Sequence, residues 1–200
     1  MNYEDAVVEF LAREENLLIA VEISERLEQL KVKLHKEFWF GLHSTLQEKL
    51  AQSEQSSKWE VWLTEEEELL DNWAGCGIEP ISTTEVQRYL SVMLQQGARG
   101  SGYPLYYGIV WNTPLKTELN IEEVTALADE LKEEGFKPGG QWWIGLKYLN
   151  YYPTRVEFLL QMATSKDDFV KEIAHTVWKL FEDKRPLIEA ANRALATVSE

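Results

Sequence analysis

A single cysteine, Cys76, excludes an intramolecular disulfide and fits a reducing compartment. It stands between two glycines with no cation or histidine beside it, a reachable setting but not one that activates a thiol. Histidine is nearly as scarce. His35, His43 and His175 all fall on predicted helices, and His35 and His43 would lie about 12 Å apart along an axis, too far to share a metal. HExxH, paired CxxC, GxSxG, Walker A and GxGxxG spacings are all missing, which removes the usual linear signatures of zinc hydrolases, serine hydrolases and phosphate loops. No apolar run approaches the roughly 18 residues of a membrane span. The acidic segment Met1–Arg13 lacks the basic and apolar halves of a signal peptide. These absences point to a cytoplasmic protein with no membrane contact, no metal and no cofactor, and they argue against an enzyme without settling the question.

One further absence is local. The chain carries a net charge of −14, yet Val86–Thr117 and Gly135–Val156 contain no acidic residue. Those two stretches hold six cations and eleven of the aromatics, so the sequence divides into an acidic framework and an aromatic, slightly basic centre. The overall charge disfavours non-specific nucleic-acid binding, because it repels phosphate backbones.

The framework reads as helix. In Glu15–Ala51 the residues Ile23, Leu27, Leu30 and Leu34 alternate steps of four and three, and Phe38, Leu42, Leu46 and Leu50 continue in steps of four. Such a stripe packs on the chain's own C-terminal helices or forms a dimer seam. Gly41 after Phe38-Trp39-Phe40 marks a bend or a tight helix contact. Gln52–Lys58 is a polar linker. Trp59–Leu63 reads as a short strand, followed by a capping box from Thr64 to Glu67 opening a short acidic helix that Gly75, Gly77 and Pro80 break. Further helices are expected from Asn120 (as N-cap) to Glu134, from Thr154 to Ala163, and from Ser165 onward, the last interrupted at Pro186.

The centre reads as sheet. Residues 103–111 and 141–149 have the aromatic and β-branched content of strands. Residues 86–96 fit either a helix capped by Ser82 and Glu85 or the first strand of a hairpin whose tip is Gly97–Gly102; the hairpin is preferred. The expected fold is α+β, with long N- and C-terminal helices packed around a small, antiparallel, aromatic-rich sheet. It forms one domain, with residues 1–54 a helical arm and 55–200 the α+β core.

A metal-dependent nuclease of the PD-(D/E)XK type needs carboxylates and an acid-x-Lys triplet on adjacent strands, to hold Mg²⁺ and polarise water. Glu182-Asp183-Lys184 and Glu130-Leu131-Lys132 match the triplet, but both lie in helical segments, and the strands at 103–111 and 141–149 contain no acid. The chain is therefore not such a nuclease by itself. The Gly97–Gly102 loop with Arg99, and Trp142, Lys147, Tyr151, Tyr152 and Arg155 around the second strand, are the candidate binding residues, able to stack on rings and touch anions. No catalytic residue is nominated.

A resemblance follows from several packing motifs taken in order. They are Leu27-x-x-Leu30-x-x-x-Leu34 running into His35-Lys-Glu-Phe-Trp39-x-x-Leu42, then Leu105-Tyr-Tyr-Gly108-Ile, then Trp142-Trp-Ile-Gly-Leu146, and last Trp178-x-x-Phe181. Together they resemble the C-terminal accessory region that follows the nuclease domain in one branch of bacterial PD-(D/E)XK superfamily proteins, over about residues 15–195. The resemblance implies an α+β module associated with DNA-processing or phage-related proteins, without the nuclease core and acting through a partner. The expected function is thus a non-enzymatic interaction module with a protein partner, with a homodimer open. A nucleic-acid-associated protein using the basic-aromatic centre, or an enzyme with no linear motif, are the alternatives.

Overall fold

The structure is a computed structural model that describes residues 3–81, 88–115 and 119–197. The capping box expected at Ser82 and Glu85, and with it Lys116, lies outside the described residues. In chain order the elements are α1 (Tyr3–Leu11), α2 (Glu14–Ala51), β1 (Trp59–Leu63), β2 (Gly75–Pro80), β3 (Leu90–Gln96), β4 (Leu105–Trp111), α3 (Glu122–Glu133), β5 (Lys137–Gly139), β6 (Trp143–Tyr148), α4 (Val156–Thr164) and α5 (Lys166–Leu195). The six strands form one antiparallel sheet in the order β1-β2-β3-β4-β6-β5. The fold is α+β, as expected, and β3 and β4 form the preferred hairpin.

Two strands escaped the sequence reading. Gly75, Gly77 and Pro80, expected to break a helix, belong instead to β2, where each glycine accommodates a close neighbour. A Cβ at Gly77 would lie 2.7 Å from the Trp62 indole nitrogen, and one at Gly75 would lie 2.3 Å from the Met93 methyl carbon. Glycine inside a strand often marks such a close approach. β5 is only three residues long and contains Pro138, which is tolerated because β5 is the sheet edge.

The helices cover one face of this sheet. Leu90, Val92 and Leu94 of β3, Cys76 and Ile78 of β2, and Leu105 and Ile109 of β4 are fully buried there, in one core with Phe38, Trp39, Leu42 and Leu46 of α2 and Phe181 and Ile188 of α5. Cys76 is therefore not reachable: burial pushes its thiol pKa far above the ordinary value. A Cβ at Gly41 would lie 3.3 Å from Val170, so this glycine marks a tight crossing of α2 and α5. α5 runs through Pro186 without ending, because buried Phe181 and Ile188 pin it on both sides. Its Asn192 side chain also closes the end of the sheet, accepting from the Leu90 N–H (2.7 Å) and donating to the Leu90 carbonyl (3.0 Å).

Several caps take another form. Thr64 does not open a helix: its hydroxyl exchanges hydrogen bonds with the Gly75 backbone, and only a single 3₁₀ turn follows at Glu66–Glu68. Asn120 lies one residue outside the cap of α3, which is Ile121. Lys184 of α5 is buried and paired with Glu130 of α3 and with Glu134, which caps its C-terminus. Burial alone would lower its pKa, but the two carboxylates outweigh that and raise it. The two acid-x-Lys triplets thus meet each other across α3 and α5, as an ion pair that docks one helix on the other.

α2 divides at Leu34. From there to Leu50 its stripe is core, whereas Ile23, Leu27 and Leu30 of the same stripe remain 55%, 50% and 46% exposed. Val8, Phe10, Leu17, Leu18 and Ile19 are also exposed, so the arm leaves an apolar surface unpacked. Packing on the C-terminal helices accounts for half of the stripe only. No described helix is long and apolar enough to cross a membrane.

Candidate functional site

The face of the sheet away from the helices carries a cleft of about 920 Å³. Strand register builds it in cross-strand rows. Glu60 pairs with Glu79 at the end of β1 and β2, and Ser91, Val110 and Trp143 form a row across β3, β4 and β6; the next row runs Trp62, Gly77, Met93, Gly108, Leu146, and the third runs Gly75, Gln95, Tyr106, Tyr148. Met93, Tyr106, Val110 and Trp143 are buried together with Trp62 and Leu146 packed on them, a second hydrophobic layer only one side chain deep. It stays thin because the Trp62 indole lies over Gly77 rather than standing beside a side chain.

The walls are aromatic. Tyr106 meets Trp143 at 5.3 Å and Tyr148 at 5.5 Å between ring centroids, both in inclined packing. Trp73 and Trp142, 57% and 48% exposed, line the cleft from the loops. Trp73 holds a left-handed backbone, with φ at 72°, a conformation costing a tryptophan on the order of 1–2 kcal/mol. Gln95 secures it by donating to the Trp73 carbonyl (2.8 Å), while its own side-chain oxygen accepts from the Tyr106 hydroxyl (2.6 Å). Strain held in place at a cleft wall is characteristic of binding sites.

One end of the cleft is acidic. The Tyr89 hydroxyl donates to Glu79 Oε2 at 2.9 Å, and the Tyr89 backbone is fixed by the Asn112 side chain, also at 2.9 Å. Burial raises the Glu79 pKa, Glu60 raises it further, and the Tyr89 hydrogen bond opposes them. Tyr89 and Tyr106 are both pushed well above the ordinary phenol range, chiefly by burial, and stay neutral. The Trp62 Nε1 is buried without an acceptor, an unused donor in the same layer. No Lys or Arg lines the cleft among the described residues, and no group of three His, Cys, Asp or Glu there can hold a metal. The arrangement can stack rings, solvate a cation and accept hydrogen bonds.

The six residues nominated from sequence do not form one site. Trp142 lines the cleft, and Arg99 sits exposed in the hairpin turn whose neighbours Ala98 and Ser101 line it. Lys147 lies on the helix side of β6, its ammonium 4.3 Å from the Phe136 ring centroid. Tyr151 packs on Phe169 of α5 at 4.9 Å. Tyr152 and Arg155 stack on each other at 4.1 Å before α4. Alternation along β6 separates them, since Lys147 and Tyr148 must face opposite sides.

Sequence reasoning missed Trp62, Trp73, Glu79 and Tyr89, all outside or at the edge of the nominated segments. Gly75 and Gly77 were the available signal, because two glycines at alternate positions of a strand point to a face kept low. Compared with family models, curated proteins and solved structures, the chain finds no match in any of the three.

Proposed function

We propose that this protein is a binding module, without chemistry of its own, that takes a ligand in the aromatic cleft on the bare face of its sheet. The observation that carries this reading is the layered construction of that face: a single layer of buried aromatics, walled by exposed ones. Its volume lies near the upper end of small-molecule sites. The resemblance to a nuclease accessory region supports a role beside a DNA-processing partner. A nucleic-acid role is less well supported, because among the described residues Glu79, and no cation, lines the cleft. The test uses a neutral fluorescent probe, N-phenyl-1-naphthylamine, with Trp142→Ala and Tyr148→Ala as wall variants. Binding with micromolar affinity that each variant weakens about ten-fold supports the reading; an unchanged affinity in both would end it.

The arm supports a second contact, with another copy of the chain. Its start is acidic, with Glu4, Asp5, Glu9, Glu14 and Glu15 against Arg13, whereas Arg26, Lys31, Lys33 and Lys36 alternate with Glu22, Glu25, Glu28 and Glu37 further on. Antiparallel pairing sets the acidic start of one arm against the mixed-charge stretch of the other and covers Ile23, Leu27 and Leu30, whereas a parallel seam sets the acidic starts against each other. Sedimentation of the whole chain decides the matter: a dimer that Leu27→Glu converts to monomer is expected, and a wild-type monomer at about 100 µM would reject it.

A further inference from the structure

The acidic end of the cleft names the chemistry of the ligand. Glu60 and Glu79 are direct cross-strand partners on the bare face. Like charges directly opposite each other destabilise a sheet. Among the described residues no ion pair involves either carboxylate, and Glu79 accepts from the neutral Tyr89 hydroxyl. Trp62 follows Glu60 two residues along the same strand and face, and Tyr89 closes the other side. A ring face is electron-rich, so Trp and Tyr beside two carboxylates add to the same negative potential. An anion would meet repulsion there, and a neutral ligand would leave the repulsive pair uncompensated.

Resting on the binding reading above, we infer that the ligand presents an organic ammonium group, which seats against Glu79, Trp62 and Tyr89 of the cleft lining, with Glu60 adding its charge from the neighbouring position beside Glu79. Its apolar body lies along Met93, Val110 and Trp143. A free alkylammonium and a methylated lysine side chain of a partner protein share this chemistry, and the cleft recognises the shared part.

The experiment pairs each cation with a neutral isostere, read by tryptophan emission and by calorimetry. Choline is compared with 3,3-dimethylbutan-1-ol, and a trimethyl-lysine peptide with the same peptide carrying norleucine. The cation is expected to bind at least ten-fold tighter in one of the two pairs, and the pair that responds tells free molecule from peptide. Glu79→Gln is expected to abolish the preference for the cation over its neutral isostere. The same substitution is expected to raise the melting temperature of the unliganded protein, because it relieves the Glu60–Glu79 repulsion; this readout confirms that the variant folds. Equal affinity for cation and isostere in both pairs, or an unchanged preference in Glu79→Gln, would overturn the inference. If the neutral probe still binds in that case, the cleft reading stands and only the ligand class is wrong; if it does not, both fall.

Discussion

The two faces of this sheet are made by the same strands and serve opposite ends. On the helix side every layer is filled: Leu94, Ile78 and Ile109 are fully buried beneath α2 and α5. On the other side the alternate residues of those strands form one thin layer and then a cleft. The helix face spends its apolar side chains on cohesion. The bare face keeps large rings at its rim, where burial is incomplete and a ligand can complete it. Side chains one residue apart on a strand should therefore respond very differently to truncation.

The sharpest form of that contrast is Ile109→Ala against Tyr148→Ala. Removing a fully buried Ile leaves a cavity and costs about 2–5 kcal/mol, measured by urea denaturation. Should Ile109→Ala cost no more than Tyr148→Ala, the division of the sheet into a cohesive and a binding face collapses.

The next effect belongs to the helix side and depends on pH. The His35 Nε2–H donates to Gln96 Oε1 at 2.7 Å, and Gln96 donates in turn to the carbonyls of Leu69 and Asp71. Burial lowers the His35 pKa from 6.5 to about 4, and the Gln96 hydrogen bond only partly opposes this. Between those values the unfolded chain takes up a proton that the folded one does not. The contribution is complete above pH 6.5 and is lost as pH falls towards 4, at most about 3 kcal/mol. Glu79, with its raised pKa, acts in the opposite sense on the bare face. Denaturation of wild type and His35→Gln across this range should show a shallower pH dependence in the variant; equal slopes would mean that His35 is not held neutral.

Much of this fold is legible in the sequence. The helix periodicity from Phe38 to Leu50, the hairpin around Gly97–Gly102 and the aromatic strands follow from local pattern, and the structure has them all. What pattern could not supply was the difference between the faces. In β4 (LYYGIVW) both alternating sets are largely apolar, so period-two alternation has little contrast to display there, and in β3 (LSVMLQQ) Met93 interrupts the polar set of Ser91 and Gln95. Acid depletion was a sound clue to burial, but it cannot distinguish Lys147 on the covered side from Tyr148 on the bare one. The acidic end of the cleft comes from β1 and β2, and β2 was hidden because its glycines looked like breakers rather than like room for Trp62 and Met93. The arm was half legible: its stripe is continuous in sequence, yet only from Leu34 does it find a partner within the chain.

A smaller effect tests how closely β4 and β6 are fitted under the cleft. A Cβ at Gly108 would fall 2.0 Å from the Gly145 carbonyl oxygen, and backbone has to move to relieve it. Gly108→Ala is expected to cost about 1–3 kcal/mol and to weaken probe binding as well, since Tyr106 and Val110 flank it on the same face. Loss of stability with unaltered binding would show that the cleft does not depend on this contact.

The smallest expected change in stability carries the largest functional meaning. Tyr148 is 61% exposed, and its ring touches Tyr106 from the rim. Truncating so exposed a side chain should alter stability by no more than about 0.5 kcal/mol, whereas a ten-fold loss of probe affinity corresponds to about 1.4 kcal/mol of binding. The two numbers have to separate in that order if the bare face exists for a ligand. A Tyr148→Ala protein that melts several degrees lower and binds as before would show instead that the ring stabilises the edge of the sheet, and that the cleft is a by-product of leaving one face uncovered.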